Sequence, residues 1–345
     1  MLNTKGKLIK NAQSIADTFN NYFSTVVEES VIKVIKQDNN DPSQNSYMQY
    51  LVNGLQQPFS PIHLKSVTEK EINEINKSLK WEKSYGYDEV PSWIVKLSML
   101  FISLPLIYIC NKMLSTGTFP TCLKFSQVSP VFKKGNKTEM SAYKPVSLLT
   151  SFSKIFEKVI YNRLLQHTKE NNITVKDQYG FLNNSSTELA IFKLTNQILS
   201  HINNKSSGCG IFCDLTKAFD TVNHETLISK LEYYGIIGRS CELIKSYLSN
   251  RYQRVTIKTL HVSNCSLAWE LVKHGVPQGS ILGLLLLFYI NDLPQLAKDI
   301  TLPILFADDT SFIISNSNPM NMSQDVKLVL EITQKWFKSN IMLLN

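Results

Sequence analysis

The stretch Leu305-Phe306-Ala307-Asp308-Asp309-Thr310-Ser311-Phe312-Ile313-Ile314 places two adjacent carboxylates between two apolar runs. Such runs are typical of strands, so the sequence predicts a tight hairpin with Asp308 and Asp309 at its tip. A purely structural role is the alternative, because aspartate forms turns by bonding the nearby backbone. The functional interpretation is that neighbouring carboxylates repel each other unless a cation neutralises them, and that their hard oxygens suit Mg²⁺.

Asp214 is the candidate for a third carboxylate. It follows the short apolar run 210–213, and the end of a strand is where a sheet would place a carboxylate at the mouth of a site. The alternative is an ordinary helix N-cap. With Asp308 and Asp309 it would supply the minimum for a two-metal site, which stabilises the attacking and leaving oxygens of a phosphoryl transfer. Phe219 is either a platform beneath a sugar or a core aromatic.

A bent loop, His274-Gly275-Val276-Pro277-Gln278-Gly279-Ser280-Ile281-Leu282-Gly283, opens a strongly apolar helix. Glycine allows a backbone to come close to a ligand, and the amide of Gln278 can both donate and accept a hydrogen bond. Lys133 and Lys144 lie earlier in the chain, where their compact ammonium groups suit a triphosphate. Solvated surface charge is the alternative for both lysines.

The chain has 345 residues, 43% of them hydrophobic, and a formal charge of +8. This composition supports a large core and excludes disordered and fibrous classes. Ten basic residues against three acidic ones fall within residues 120–176. The segment therefore carries most of the net charge and indicates an electropositive surface for a polyanion, unless it is simply a solvated lysine-rich face.

Cysteine and histidine spacing gives no zinc motif, because no CxxC, HExxH or HxxxH pattern occurs. Scattered thiols fit a reducing compartment. The N-terminus lacks the apolar run of a signal peptide, and the most apolar stretches, 97–110 and 281–290, are too short to cross a bilayer. We therefore expect a soluble, intracellular protein that does not associate with membranes.

Periodicity predicts an α+β layer architecture. Polar residues 37–44 form an expected linker, and two capping boxes, at Thr68 to Glu71 and Ser185 to Glu188, are expected to open helices. The predicted buried helix faces are Ile15/Phe19/Phe23/Val26, Ile72/Ile75/Leu79, Ile191/Leu194/Ile198 and Leu227/Leu231/Tyr234.

An ordered set of motifs runs from about Thr68 to the C-terminus, and in this order the set resembles the reverse transcriptase of non-LTR retrotransposons, most closely the jockey-like elements of animals. The motifs are Ser129-Pro130-Val131-Phe132-Lys133-Lys134-Gly135, Tyr143-Lys144-Pro145-Val146-Ser147-Leu148-Leu149, Asp177-Gln178-Tyr179-Gly180-Phe181, Phe212-Cys213-Asp214-Leu215-Thr216-Lys217-Ala218-Phe219-Asp220, Gly275-Val276-Pro277-Gln278-Gly279-Ser280 and Phe306-Ala307-Asp308-Asp309.

The resemblance implies a right-hand polymerase fold with fingers and palm. It assigns residues 1–60 to a helical extension and linker, and 61–345 to the reverse transcriptase domain, with fingers mostly at 114–208 and palm mostly at 209–345. The chain ends at Asn345, inside a segment that begins Trp336-Phe337-Lys338-Ser339-Asn340. We therefore expect a truncated domain whose thumb is missing.

The resemblance also implies roles for single residues. Asp214, Asp308 and Asp309 would bind two Mg²⁺ ions, and Phe219 would reject a 2′-hydroxyl. Gln278 and Gly279 would lie near the templating base pair, and Lys133 and Lys144 near the triphosphate. Three positions depart from the family pattern, where Lys144 replaces an arginine, Leu182 an arginine and Leu284 a proline.

The predicted function is RNA-directed DNA synthesis: the 3′-hydroxyl of a DNA primer attacks the α-phosphate of a dNTP, templated by RNA. The predicted place of action is the nucleus or cytoplasm, within the element's ribonucleoprotein. The main alternative is a nucleic-acid-binding remnant that has lost catalysis. A metal-dependent phosphohydrolase is a third interpretation, for which the sequence offers no water-activating base.

Overall fold

A computed structural model of the chain describes residues 2–4, 7–36, 46–55, 59–182, 185–257, 265–266, 268–316 and 318–344. The predicted linker at 37–44 lies outside the described residues. The helices are α1 Ala12–Lys36, α2 Ser46–Gly54, α3 Glu69–Ser78, α4 Ser92–Thr116, α5 Ser151–Glu170, α6 Thr187–Asn203, α7 Ala218–Thr221, α8 His224–Tyr233, α9 Arg239–Leu248, α10 Leu284–Ile290 and α11 Pro319–Ser339. The strands are β1 Leu2–Thr4, β2 Lys7–Ile9, β3 Phe125–Phe132, β4 Tyr143–Leu148, β5 Ser207–Cys213, β6 Arg251–Ile257, β7 Cys265–Ser266, β8 Glu270–Val272, β9 Thr301–Phe306 and β10 Asp309–Asn316. The mixture of helices and sheets agrees with the predicted α+β architecture.

The chain forms two compact units, each assembled from three separate segments. The first unit comprises 1–29, 61–167 and 236–283, and the second comprises 30–60, 168–235 and 284–345. This spatial division cuts across the sequence-based boundaries, because long-range pairing brings distant segments together. Residues 1–29, for example, belong to the first unit together with 61–167 and 236–283.

The first unit is built on a sheet in which β3 lies between β4 and β6. β3 runs antiparallel to β4 and parallel to β6, and β7 and β8 pair with the far edge of β6. Helix α1 buries Phe19 and Phe23 in a cluster with Val128 and Val255, which confirms the predicted apolar face. The side chain of Asn20 accepts a hydrogen bond from the backbone of Val255 at 3.1 Å. The N-terminal helix is therefore part of this core.

The predicted capping box at α3 is half right. Thr68 caps the helix by accepting from the backbone of Glu71 at 3.3 Å. The Glu71 carboxylate does not reach back to Thr68 but receives both amino groups of Arg163 on α5, at 2.6 and 2.8 Å. A bidentate charged pair is stronger than a single bond to a neutral amide, so Glu71 stabilises the packing of two helices.

Helix α4 is longer than the apolar stretch 97–110 that it contains. It has 25 residues and is the one helix in the described parts of the chain that is long and apolar enough to cross a membrane. The prediction that this region is too short is therefore wrong, because the helix continues beyond both ends of 97–110. The same length and composition also occur in core helices of soluble proteins, so α4 does not assign a membrane. Leu100 and Phe101 are nonetheless 89% and 84% exposed.

The second unit is built on an antiparallel sheet of order β5-β10-β9. Helix α6 packs on this sheet through Ala190 and Leu194, against Ile304 and Ile313. Ser186, not Ser185, caps the helix by accepting from the backbone of Leu189. The predicted face is therefore partly wrong, because only its middle residue, Leu194, faces the sheet; the other two, Ile191 and Ile198, are exposed.

A buried ion pair ties three helical regions of the second unit together. The Lys230 ammonium on α8 donates to the carbonyl of Tyr289 at 2.6 Å and to the carboxylate of Asp292 at 2.8 Å. The other oxygen of Asp292 accepts from the indole of Trp336 on α11 at 2.8 Å. Burial lowers the pKa of Lys230, and the neighbouring carboxylate opposes that shift. The neighbouring Leu227, Leu231 and Tyr234 are buried, as predicted.

We expect Glu71→Gln to lower the free energy of unfolding by about 2 kcal/mol at neutral pH, because Arg163 loses its charged partner. Burial raises the pKa of Glu71, but the hydrogen bonds from Arg163 and Asn162 and the charge of Arg163 outweigh it and lower the pKa. The ionised carboxylate therefore stabilises the fold above the ordinary pKa of about 4.3, and this contribution disappears as pH falls through the lowered value.

Urea denaturation from neutral pH to about pH 3 measures this difference. Glu82→Gln is the matched control, because Glu82 pairs with Lys154 at 3.9 Å on the surface and should contribute less than about 0.5 kcal/mol. Equal losses in the two variants, or a Glu71→Gln effect independent of pH, would contradict the assignment.

Candidate active site

The hairpin predicted around Asp308 and Asp309 is present in the second unit. β9 and β10 pair up to Phe306 and Asp309, so the turn consists of Ala307 and Asp308 alone. Ala307 has a φ of 55°, which alanine rarely adopts. Asp308 is half-buried in the turn and Asp309, the first residue of β10, is exposed. The turn therefore presents two carboxylates at one end of the sheet.

Asp214 lies at the same end of this sheet. The pairing of β10 with β5 ends at Thr310 and Cys213, so Asp214 is the next residue, in register with Asp309. The alternative role as an N-cap is wrong, since α7 is preceded by Lys217. Asp214 is exposed, whereas Cys213 is buried, and burial raises the pKa of its thiol to about 11. The carboxylate, not the thiol, is therefore available for chemistry.

The segment after Asp214 is held by the C-terminal residues of the chain. The backbone of Thr216 donates to the carbonyl of Leu343 at 2.8 Å, and Leu215 forms a single antiparallel bridge with Leu344. Leu343 and Leu344 were not singled out in the sequence. Their local pattern carries no signal of this role, because the bridge joins segments more than 120 residues apart.

Phe219 lies on the short helix α7 and is half-buried. Its ring meets the ring of Phe181 edge to face, with centroids 5.9 Å apart. Phe219 is therefore held in place by a neighbouring aromatic side chain while part of its surface stays accessible, which a fully buried core aromatic would not allow.

The three carboxylates have the hard oxygen donors that Mg²⁺ prefers. The register places Asp214, directly after β5, at the same end of the sheet as Asp309, the first residue of the neighbouring strand β10, with Asp308 adjacent in the turn. Within the described residues, however, no three His, Cys, Asp or Glu side chains form a ready-made metal-binding group. The donor chemistry fits the ion, and the side chains would have to close around it.

The remaining predicted residues gather around β4 in the first unit. Lys144 pairs with Val131 across the β3–β4 hairpin, and the backbone of Lys133 donates to Ala142 at 2.8 Å. Lys144 lies opposite Val131, and opposite residues of antiparallel strands share a face. Lys133 is two residues beyond Val131 and therefore lies on the same face of the hairpin end as Lys144. Both are exposed. This arrangement can concentrate positive charge for an anionic ligand.

The loop containing Gln278 and Gly279 lies against the opposite edge of β4. The backbone of Ser147 donates to the carbonyl of Gln278 at 2.8 Å. Gly279 has a φ of 113°, and a Cβ there would lie 2.8 Å from the carbonyl oxygen of Ser147. The glycine is therefore required by the close approach of two backbone segments, whereas the sequence analysis attributed it to a ligand.

Glu157 on α5 holds this loop and was not identified from the sequence. It is fully buried, and one carboxylate oxygen accepts from Ser280 at 3.0 Å and from the backbone of Ile281 at 2.9 Å. The other oxygen accepts from Tyr247 at 3.1 Å and Ser153 at 3.3 Å. Burial raises the pKa of Glu157, and the charge of Arg251 and the hydrogen bonds from Ile281, Ser280 and Tyr247 oppose the shift. The sequence signal that could have identified Glu157 is the presence of an acidic residue within an apolar helix face.

The structure narrows the predicted electropositive surface. Within 120–176, Lys124 and Arg163 are only 6% and 7% exposed, and Arg163 is paired with Glu71. Six basic residues of this segment are exposed; four of them lie at the β3–β4 hairpin and its loop (Lys133, Lys134, Lys137 and Lys144), and the other two are Lys169 and Lys176. Most of the exposed positive charge of the segment is therefore at the hairpin end.

Comparison with known proteins agrees with the motifs. Residues 132–345 match the family described as reverse transcriptase (RNA-dependent DNA polymerase). The chain is 30% identical over 99% of its length to a probable RNA-directed DNA polymerase from transposon BS of Drosophila melanogaster. It is 28% identical over 86% of its length to the RNA-directed DNA polymerase from mobile element jockey of Drosophila funebris.

The chain therefore belongs to the reverse transcriptase family, and its reverse transcriptase region is of the non-LTR retrotransposon type. This membership implies the right-hand polymerase fold, and the family generally uses divalent metal ions. The chain spans 37% and 32% of the lengths of the two relatives. The resemblance predicted from the motifs is confirmed.

We expect Glu157→Met to lower the free energy of unfolding by about 3 kcal/mol, because the backbone donor of Ile281 and three hydroxyls lose their acceptor. Glu157→Gln should cost about 1 kcal/mol, since its oxygen can serve Ile281 while its amino group faces hydroxyls that can accept. Denaturant unfolding and hydrogen exchange of residues 278–283 measure the two effects. Equal behaviour of the Met variant and the unmodified chain would show that Glu157 does not hold the loop.

Proposed function

We propose that this chain is the catalytic part of an RNA-directed DNA polymerase. It adds dNTPs to the 3′-hydroxyl of a DNA primer on an RNA template, and pyrophosphate leaves. The observation that supports this function is that the two-residue turn places Asp308 and Asp309 at one end of the sheet, where Asp214 directly follows the neighbouring strand β5. A turn with a purely structural role would require neither a third carboxylate near it nor the exposure of that carboxylate to solvent.

Asp214 and Asp308 are the principal residues proposed to hold two Mg²⁺ ions, with Asp309 beside them. When bound, such ions neutralise charge on the transferring phosphoryl group and stabilise the attacking and leaving oxygens. The protein's own contribution is to fix the three carboxylates at one end of the paired strands β5, β10 and β9. Catalysis of this kind depends on positioning and electrostatics, because the phosphoryl group requires little covalent help.

The other residues are proposed to recognise the nucleotide. Lys133 and Lys144 attract the triphosphate through two exposed ammonium groups on one hairpin face. Gln278 and Gly279 lie near the templating base pair, where Gln278 can donate and accept through its side-chain amide. Phe219, supported by Phe181, closes the space that a 2′-hydroxyl would occupy.

The subdomain assignment and location are part of the same proposal. We assign the fingers mostly to 114–208 and the palm mostly to 209–345; the carboxylate-bearing sheet of β5, β10 and β9 supports the palm assignment. An intracellular site of action, as part of a ribonucleoprotein, is supported by the buried cysteines Cys110 and Cys213, which form no disulfide.

A catalytically inactive RNA-binding protein is the second candidate function. The exposed lysines of the β3–β4 hairpin would suffice for this role, and no preassembled group of three metal ligands occurs in the described structure. Such binding would weaken steeply with salt, because lysine contacts to phosphates release counterions.

We expect Asp214→Asn and Asp308→Asn each to reduce the rate of dNTP incorporation at least about a hundred-fold, since each removes a negative charge from the proposed metal site. Single-nucleotide primer extension on an RNA template with Mg²⁺ measures this loss. Asp299→Asn is the matched control, because Asp299 is an exposed carboxylate of the same unit, outside the proposed site.

Undiminished incorporation in both variants would overturn the proposed catalytic roles. If the unmodified chain incorporates no nucleotide, yet binds RNA in a salt-dependent manner that neither substitution changes, the inactive RNA-binding function is the correct one.

We expect Phe219→Ala to raise the incorporation of ribonucleotides relative to deoxyribonucleotides by about ten-fold or more, because the smaller side chain leaves room for a 2′-hydroxyl. The ratio of kcat/KM for matched rNTP and dNTP pairs reports this effect. Phe192→Ala serves as the control, since Phe192 is an exposed phenylalanine on α6. An unchanged ratio would remove Phe219 from sugar discrimination.

A further inference from the structure

The segment 177–181 runs alongside β9, the strand that leads into the turn of Ala307 and Asp308. The backbone of Tyr179 donates to Leu305 at 2.8 Å, and the backbone of Leu305 donates to Asp177 at 2.8 Å. These two bonds flank a parallel bridge between Gln178 and Leu305. The segment therefore acts as a short additional strand, fixed two residues before Ala307.

The side chain of Gln178 bonds both backbone groups of Ala307. Its Oε1 accepts from the amide of Ala307 at 2.9 Å and from the amide of Gly180 at 2.7 Å. Its Nε2 donates to the carbonyl of Ala307 at 3.4 Å. Gln178 is only 4% exposed, so water would not readily replace these bonds.

Ala307 needs such support because of its conformation. Its φ of 55° lies in the left-handed region, which costs an ordinary residue about 1–2 kcal/mol. The approach of the supporting segment is also close, since a Cβ on Gly180 would lie 2.3 Å from the amide nitrogen of Ala307. Glycine at position 180 is required for the segment to approach the turn this closely. The side-chain amide of Gln178 then bonds the backbone N–H and carbonyl of Ala307.

We propose that Gln178 is a positioning residue for Asp308. It holds Ala307 in the left-handed conformation, and the backbone of Ala307 sets the direction in which the following residue leaves the turn. Gln178 itself is assigned no contact with substrate or metal. The consequence for catalysis rests on the proposed polymerase function, whereas the effect on the turn can be measured without it.

Asn291 supplies a matched control for burial and bonding. Its Oδ1 accepts from the backbone of Val175 at 3.1 Å, and its Nδ2 donates to the carbonyl of Ile173 at 2.8 Å. It is a buried amide of the same unit and supports the chain just before 177–181. These bonds go to Val175 and Ile173 and not to Ala307. Asn291→Leu therefore tests the loss of a buried amide without loss of the Ala307 bonds.

The experiment compares Gln178→Met and Asn291→Leu in the full chain, with three measurements on each. Hydrogen exchange of peptides covering residues 302–312 reports the turn, and titration with Mn²⁺ alone, followed by electron paramagnetic resonance, reports the carboxylates. Primer extension over a range of Mg²⁺ concentrations reports catalysis. Gln178→Met should speed exchange at 307–309 and weaken Mn²⁺ binding about ten-fold or more.

Asn291→Leu should lower the unfolding temperature comparably and leave the affinity for Mn²⁺ unchanged. If Gln178→Met matches Asn291→Leu in exchange and in Mn²⁺ affinity, Gln178 has only a structural role and the proposal is overturned. If the unmodified chain fails to extend primers while Gln178→Met still weakens Mn²⁺ binding, the polymerase function falls and the positioning role stands.

Should Gln178→Met fail to fold, Gly180→Ala takes its place, because the added methyl group pushes against the amide of Ala307. It should disturb exchange at 307–309 and weaken Mn²⁺ binding in the same direction. A Gly180→Ala chain with unchanged exchange and unchanged Mn²⁺ affinity would also overturn the proposal.

Discussion

The turn between β9 and β10 contains only Ala307 and Asp308, and this short connection requires a positive φ at Ala307. Two-residue hairpin turns need such conformations because their twist must match that of the strands they join. Glycine or asparagine would adopt it more readily than alanine. The strain is compensated from outside the hairpin, by the amide of Gln178 and by the missing side chain at Gly180. The position of the Asp308 carboxylate thus depends on the segment 177–181, which is distant in sequence.

Buried polar groups hold the irregular segments in both units. Glu157 supports the Gln278 loop, Glu71 joins α3 to α5 through Arg163, and the Lys230–Asp292 pair joins α8 to α11 through Trp336. Loops lack a regular ladder of backbone bonds, so side-chain acceptors supply the missing partners. The charged groups of Glu157, Glu71, Lys230 and Asp292 have bonding partners, which offset part of the cost of removing them from water.

The hairpin, the strand before Asp214 and the helix faces of α1 and α8 could be predicted, because each depends on short-range periodicity. The face of α6 could not, since Ile191 and Ile198 are as apolar as the residues it buries. The judgement that 97–110 is too short to cross a bilayer was wrong, because residues on both sides of this stretch continue the helix. The close approach of Gly279 to the backbone of Ser147 could not be predicted, since a glycine that accommodates a ligand and one that accommodates a backbone look identical in sequence.

The amino-acid sequence by itself determined the ordered motifs, the carboxylates at strand ends and, through them, membership in the reverse transcriptase family. These features are local, and the order of short motifs can be recognised without knowledge of their contacts. Only the tertiary structure decided that Gln178 bonds Ala307, 129 residues away, and that Glu157 bonds Ile281, 124 residues away. Hydrogen-bond partners of this kind depend on which segments the sheets and helices bring together, and no local periodicity encodes that distance.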